Sequence, residues 1–366
     1  MFKGDRIKLS ESQSIGKRPL RSRSGVTIQD IARELNISHT TVSRALADSP
    51  KISAQTKLRV RKLVEELGYV PSASARVMRG GQSSLIGLVI PDLQNDFYAS
   101  VAKTVADSLA ARSMQLLLCV TDDDSDRELR ELRTLLEARP SGIIIVPSAT
   151  PRPETISLLK HVETVQLIRT SELLSAHSVV IDDREGVFLA TKHLVSYGHR
   201  SIAYVGGDPV LSTGRNRLSG FENAMRESSL EPAAIALGPP RPEFARHAVT
   251  SMMAAKRKPT ALVFGSAELT LGALQALHAL RLQWPQDVSL VGYHDPAWFE
   301  LTSHGITTVR LPVHDIAATA ASVLLSRATG SAGRAPDSEQ PVNIEFTPTL
   351  ALRGSTAPYR KAESDN

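Results

Sequence analysis

Between Thr27 and Leu46 the stretch TIQDIARELNISHTTVSRAL sets hydrogen-bonding side chains at helical spacing beside an apolar stripe. His39, Thr40, Ser43 and Arg44 fall on one face of its second half, behind Ser38. Short hydroxyls, an imidazole and a guanidinium near a helix N-terminus can donate to base edges and phosphates and accept from base edges, which is the chemistry of a recognition helix. The same residues would also suit the solvated side of an ordinary helix pair.

Two short helices must carry these groups. Thr27 caps the first, with Asp30 three residues on reaching back in a capping-box variant. Ile28, Ile31, Ala32 and Leu35 form its apolar face. Asn36 interrupts the pattern, and Ser38 caps the second helix. Val42, Ala45 and Leu46 supply that helix's inner face. After a turn at Asp48–Pro50, Ser53 caps a third helix carrying Thr56, Val60, Leu63, Val64 and Leu67 on one side, and Gly68 stops it.

Charge concentrates on the same region. Residues 1–80 hold 16 Lys/Arg against 7 Asp/Glu, while 81–366 hold 27 against 31. A basic head on a mildly acidic body implies a polyanionic partner at the head alone. Lys17, Arg18, Arg21 and Arg23 cluster in a polar segment expected to be a disordered basic tail, 1–24. The single cysteine, Cys119, lies in LLLCV and allows no intrachain disulfide, which fits a reducing compartment. No apolar run reaches the roughly 18 residues of a membrane span. The opening MFKGDRIKLS lacks the apolar core of an export signal. A cytoplasmic protein with no membrane partner is therefore expected.

Beyond Leu67 the pattern changes twice. Tyr69-Val-Pro71 leads into SASARVMRGG, a short linker or a helix that forms only when docked, with Met78 as a large apolar side chain in need of a partner. From Leu85, strand-length apolar runs recur at 86–90, 116–120, 143–146, 165–168, 179–181, 202–205, 261–264 and 288–291. Amphipathic stretches at 101–111, 128–137, 187–195, 218–226 and 269–280 separate most of them. Continuous apolar strands alternating with helices imply parallel sheets covered on both faces, and so many strands imply two sheets. Ligands in such folds bind at the strands' carboxyl ends, here including Asp122, Ser148, Asp183, Ser266 and Tyr293-His294-Asp295. A cleft between two α/β lobes is the expected site.

Enzyme signatures are missing. There is no GxxxxGK[ST], no GxSxG and no GxGxxG after the first core strand. Cys/His metal spacing is absent, and His177, His193, His199, His247, His278, His304 and His314 are scattered. Asp122-Asp-Asp124 follows a strand and precedes a helix, so it suits an exposed helix N-terminus. Neither catalysis, a cofactor nor a metal is expected. A transport-type solute-binding protein would match the body but neither the basic head nor the missing export signal.

A helical DNA-reading head, a proline-led linker and a two-lobed α/β core together resemble the LacI/GalR family of bacterial transcription repressors. The resemblance runs from about Val26 to Thr356 through VTIQDIARELNISHTTVSRAL, LGYVPSASAR, IGLVIPDLQNDFY, HLVSYGHRSIAYVGG, RNRLSGF, PQDVSLVGY and TTVRLP followed by ALRGST. It implies an all-α helix-turn-helix head, 25–70, and a hinge helix, 71–84. It further implies a two-lobed core like the type I periplasmic binding proteins, 85–356, with crossovers near 183, 310 and 345, and a disordered tail, 357–366.

The resemblance also implies partners and roles. Operator DNA would be near-palindromic and met by a homodimer, with a tetramer as the larger alternative. His39, Thr40 and Arg44 resemble base-reading residues, Arg44 suiting guanine. Thr27, Ser38, Thr41 and Ser43 resemble phosphate contacts or helix supports. Met78 stands where the family places a leucine wedge for the minor groove, and Ser72 where it commonly has Asn. Phe97, Tyr98, Ser148, Arg217, Ser266 and His294 are the implied effector contacts. Ser266-Ala267 stands where the family usually reads Asn-Asp, and His294 where it usually has the first of two aspartates. Exchanging that carboxylate for His beside Arg217 suggests a more positive pocket and an anionic effector such as a sugar acid or organic acid. A neutral sugar is the alternative.

Overall fold

The computed structural model describes residues 26–69, 83–330 and 340–360. The chain divides into two compact units at Gly80–Gly81.

The first unit holds three helices, α1 (Ile28–Leu35), α2 (His39–Leu46) and α3 (Ala54–Leu67). Local chemistry sets each boundary. Thr27 Oγ1 accepts from the Asp30 N–H, and Asp30 returns an acceptor to the Thr27 N–H at 3.0 Å. Asn36 closes α1 in the left-handed region, which this short polar side chain tolerates. Ser38 and Ser53 cap α2 and α3 by accepting from the Thr41 and Thr56 N–H groups, and Gly68 ends α3 at φ 60°. Ile31, Ala32, Val42, Ala45 and Val60 form a buried core, flanked by partly buried Leu35, Leu46, Leu63 and Val64.

The second unit contains two six-stranded sheets. The first-lobe strands are β1 (Leu85–Ile90), β2 (Gln115–Val120), β3 (Gly142–Ile145), β4 (Thr164–Leu167), β5 (His177–Ile181) and a late arrival, β11 (Asn343–Phe346). Their order is β11-β5-β4-β3-β1-β2, with every pair parallel. The second lobe orders β12 (Thr349–Ala351), β10 (Thr308–Arg310), β9 (Ser289–Tyr293), β8 (Ala261–Phe264), β6 (Ile202–Gly206) and β7 (Ala234–Leu237). Only β12 runs antiparallel there. The chain passes between lobes three times: after β5, between β10 and a long helix at Val313–Gly330 that packs on the first sheet, and between β11 and β12.

Helices cover both sheets. Those that matter for the site are α4 (Asp96–Ala110), α5 (Ser125–Glu137), α7 (Asp183–Ser196), α8 (Ser212–Glu227), α9 (Pro242–Ala254) and α10 (Ala267–Ala279); α6 (Pro153–Leu159) and α11 (Val313–Gly330) complete the set. α4 starts five residues before the expected amphipathic run because Asn95 Oδ1 accepts from the Phe97 N–H and caps it. β7 and α9 escape the sequence pattern. β7 (AIAL) is apolar throughout, but it is a short edge strand whose residues alternate between half-buried and exposed. The segment expected as a disordered tail, 357–366, is partly ordered: the Ala357 N–H donates to Ser289 Oγ at 3.1 Å and the Tyr359 N–H to the Tyr197 carbonyl at 2.8 Å. The backbone bonds fix these residues to the second lobe. The tail 1–24, most of the linker and Met78 lie outside the described residues.

Candidate functional site

The head offers a polar helix face. His39 and Thr40 are exposed in the first turn of α2, while Arg44 is exposed in its last turn. Ser38 does more than cap. Its hydroxyl lies 2.7 Å from Thr40 Oγ1 and 2.8 Å from Thr41 Oγ1, so three hydroxyls form one local hydrogen-bonded group. This fixes the Thr40 side chain before any ligand arrives. Ser43 is half-buried, and Thr27 is exposed at the start of α1.

In the second unit a cavity of about 1300 Å³ lies at the carboxyl ends of both sheets. The first lobe lines it with the β1 and β2 strand-end loops, the start of α4 and Ile168-Arg169 after β4. The second lobe contributes the starts of α8, α9 and α10 and the end of β9. Phe97, Tyr98, Arg217, Ser266 and His294 all face it. Ser148 does not: it is buried beside the cavity, where its N–H donates to Glu128 Oε2 at 2.7 Å. The sequence placed Ser148 correctly at a strand end, but the acceptor on α5 turns this loop inward.

Each lobe brings an arginine that is already paired, Arg169 buried and Arg217 mostly so. Arg217 Nε donates to Asp183 Oδ1 at 2.8 Å and its Nη1 to the Gly265 carbonyl at 2.8 Å. The guanidinium carbon lies 4.1 Å from the Tyr293 ring centroid, within cation–π range. Tyr293 also donates its hydroxyl to Asp183. In the first lobe Arg169 pairs with Asp123 through both Nη groups. Arg127 pairs with Asp122 at the same rim. Burial raises the Tyr98 and Tyr293 hydroxyl pKa values, so both rings stay neutral. Gly220 permits the Arg217–Asp183 pair sterically. A Cβ there would come 2.2 Å from the Arg184 carbonyl oxygen, so only glycine lets α8 approach α7 this closely.

His294 ends β9 in the left-handed region at φ 69°, packed edge-on against Phe97 of the opposite lobe at 5.5 Å. Burial lowers its pKa from 6.5 to about 4, so the ring is neutral at ordinary pH. Its Nδ1 is buried without a hydrogen-bond partner. Glu268 on the same side has a raised pKa, first from burial and then from Asp96, Asp92 and Glu243. Asp122, Asp123 and Ile168 join His294 among cavity-lining residues with positive φ. For β-branched Ile168 this is costly, and such strain concentrates where a backbone is held for function.

Arg169, Asp123 and Asp183 were not singled out as binding residues from sequence. Asp123 is exposed in the loop expected for it, while Asp124 caps α5. Their one sequence signal is position at a strand end. Among the described residues no helix is long and apolar enough to cross a membrane, and no group of three or more His, Cys, Asp or Glu is placed to hold a metal ion.

A helix-turn-helix unit followed by a two-lobed core of this topology defines a class, the DNA-binding transcription regulators built on a periplasmic-binding-protein-like core. Residues 27–72 match the family described as bacterial regulatory proteins, lacI family, and residues 191–356 match the periplasmic binding protein-like domain. The chain is 30% identical to the HTH-type transcriptional regulator GalR of Salmonella typhimurium over 335 residues, covering 90% of this chain and 96% of that protein. It is 30% identical to the HTH-type transcriptional repressor PurR of Pectobacterium carotovorum over 342 residues, covering 91% and 98%. The crystal structure of the lac repressor dimer bound to operator and the anti-inducer ONPF shares its fold, with a TM-score of 0.79, 24% identity and coverage of 91% of this chain and 100% of that one. The chain belongs to the LacI family of bacterial DNA-binding transcription regulators.

Proposed function

We propose that the protein is a repressor that binds near-palindromic operator DNA as a homodimer, with α2 as its reading helix. A small, neutral, hydroxyl-rich effector in the cleft between the lobes then changes its operator affinity. His39 and Thr40 would meet base edges from the first turn of α2, with Arg44 taking guanine. Thr27, Ser38, Thr41 and Ser43 would hold phosphates or the helix itself, and Met78 would enter the minor groove. The lac repressor relative, crystallised as a dimer on operator DNA, supports this arrangement.

One observation carries the effector class: the arginines of the cleft interior and of its rim, Arg241 apart, are already neutralised. Arg127, Arg169 and Arg217 each pair with an aspartate, and His294 is uncharged. Asp92, Glu243 and Glu268 remain on the lining with Arg241 as their only unpaired basic neighbour there. The positive pocket that His294 and Arg217 suggested therefore loses its electrostatic basis. An incoming anion would meet an excess of carboxylates. Hydroxyls both donate and accept, so they suit these carboxylates together with the N-termini of α8 and α9, which have no side-chain cap.

A thermal-shift screen of the full chain with matched pairs, such as glucose against gluconate, tests the class. Binding to the native state alone raises stability by mass action. A shift with neutral sugars and none with their acids is expected; the reverse would restore the anionic effector. Selection of duplex DNA by the full chain tests the head. Two related half-sites are expected, and recovery of unrelated sequences would overturn specific operator binding.

A further inference from the structure

Asp183 is the first residue of α7, on the first crossover between the lobes, and is only 2% exposed. It does not line the cleft, whereas its partner Arg217 does. It accepts from Arg217 Nε at 2.8 Å and from the Tyr293 hydroxyl, so one carboxylate organises two side chains of the cleft floor from behind. The Gly265 carbonyl takes a second guanidinium donor. The guanidinium is thereby held over the Tyr293 ring. Two polar anchors and one ring fix the orientation of a single arginine.

We propose that Asp183 is a specificity-determining residue that makes the cleft reject anions. By holding Arg217 as half of a neutral pair, it turns a buried cation into an oriented hydrogen-bond donor. An anionic ligand at Arg217 would have to share the guanidinium with a carboxylate already in place, in a buried site where like charges repel strongly. A neutral hydroxyl meets no such opposition. The proposal rests on the reading of the cleft as the effector site, and it deepens that reading by naming the residue that sets the charge preference. Its position on the crossover also places the same carboxylate where the two lobes hinge.

The test uses full-length protein and inorganic phosphate as the anion, titrated at constant ionic strength with thermal shift and calorimetry as readouts. Asp183→Asn keeps the side chain's shape and an acceptor oxygen while removing the charge. Phosphate should bind this variant about tenfold more tightly than the unaltered protein, the scale of ~1.4 kcal/mol. The double change Asp183→Asn with Arg217→Gln should abolish that gain. Equal phosphate affinity in the unaltered protein and Asp183→Asn overturns the proposal, as does a gain that survives in the double variant. If Asp183→Asn does not fold, Asp183→Ser, which also removes the charge, takes its place with the same two expectations. None of these outcomes depends on knowing the effector. Failure of the cleft reading would appear separately, as neutral and acidic small molecules that leave both thermal stability and operator affinity unchanged.

Discussion

The head and the core present polar chemistry in opposite ways. On α2 the proposed reading groups His39, Thr40 and Arg44 lie within one short helix and are exposed, and the Ser38 hydroxyl steadies Thr40. In the cleft they come from strand ends separated by up to two hundred residues, and they are buried, paired and partly strained. A recognition helix needs only a short scaffold to aim side chains outward, so a helix-period pattern suffices. A ligand cleft must first neutralise its own buried charges, and that depends on contacts between distant segments.

Breaking the cleft pair should have the largest effect. Arg217→Ala leaves Asp183 buried without its counter-charge, and the core should lose about 3–5 kcal/mol in urea unfolding. DNA binding by an isolated helix pair would not predict this sensitivity. A loss below about 1 kcal/mol would mean that the pair behaves as a solvated one.

Acid should sharpen the contrast next. His294 takes up a proton near pH 4 in the folded core but near 6.5 once unfolded. Between those values the unfolded chain binds more protons, so stability falls as pH falls, by at most ~3 kcal/mol. His193 and His199, also lowered by burial, act in the same direction. They are common to both proteins when unaltered protein is compared with His294→Gln. The His294→Gln variant should have the flatter acid limb, and identical limbs would place His294 in water.

How much of this was legible follows from the same contrast. The capping box at Thr27–Asp30, the caps at Ser38 and Ser53 and the stop at Gly68 are local hydrogen-bond chemistry, and each stands where its residue type predicts. The apolar runs marked the central strands because both of their faces are covered. β7, half-exposed at an edge, carries a short apolar run too, so composition alone does not separate edge from centre. Strand ends pointed to Ser266 and His294, and the family resemblance to Phe97, Tyr98 and Arg217. They could not show that Asp183 neutralises Arg217, that burial silences the charge of His294, or that Ser148 turns inward. Those are consequences of packing between segments far apart in the chain.

On the head the effects should be smaller and confined to DNA. Arg44→Ala should weaken operator binding by about 1–3 kcal/mol and relax one base position. A uniform loss across sequences, with a shallower salt dependence, would make Arg44 a phosphate contact instead. Ser38→Ala removes a cap worth ~1 kcal/mol and frees the Thr40 and Thr41 hydroxyls. Circular dichroism melting of the head should record that loss. A variant that melts as before would mean the three-hydroxyl group contributes nothing to α2.

The central claim is that a neutral ligand in the cleft controls what the helix reads. Fluorescence anisotropy with a selected operator duplex, at fixed salt, measures it directly. Full-length protein is titrated with the duplex alone, with the neutral sugar giving the largest thermal shift, and with the corresponding sugar acid. The account predicts an affinity change of about 5- to 150-fold with the neutral sugar, the range of an ordinary allosteric coupling, and none with the acid. A change driven by the acid, or an operator affinity indifferent to a sugar that demonstrably binds, would contradict it.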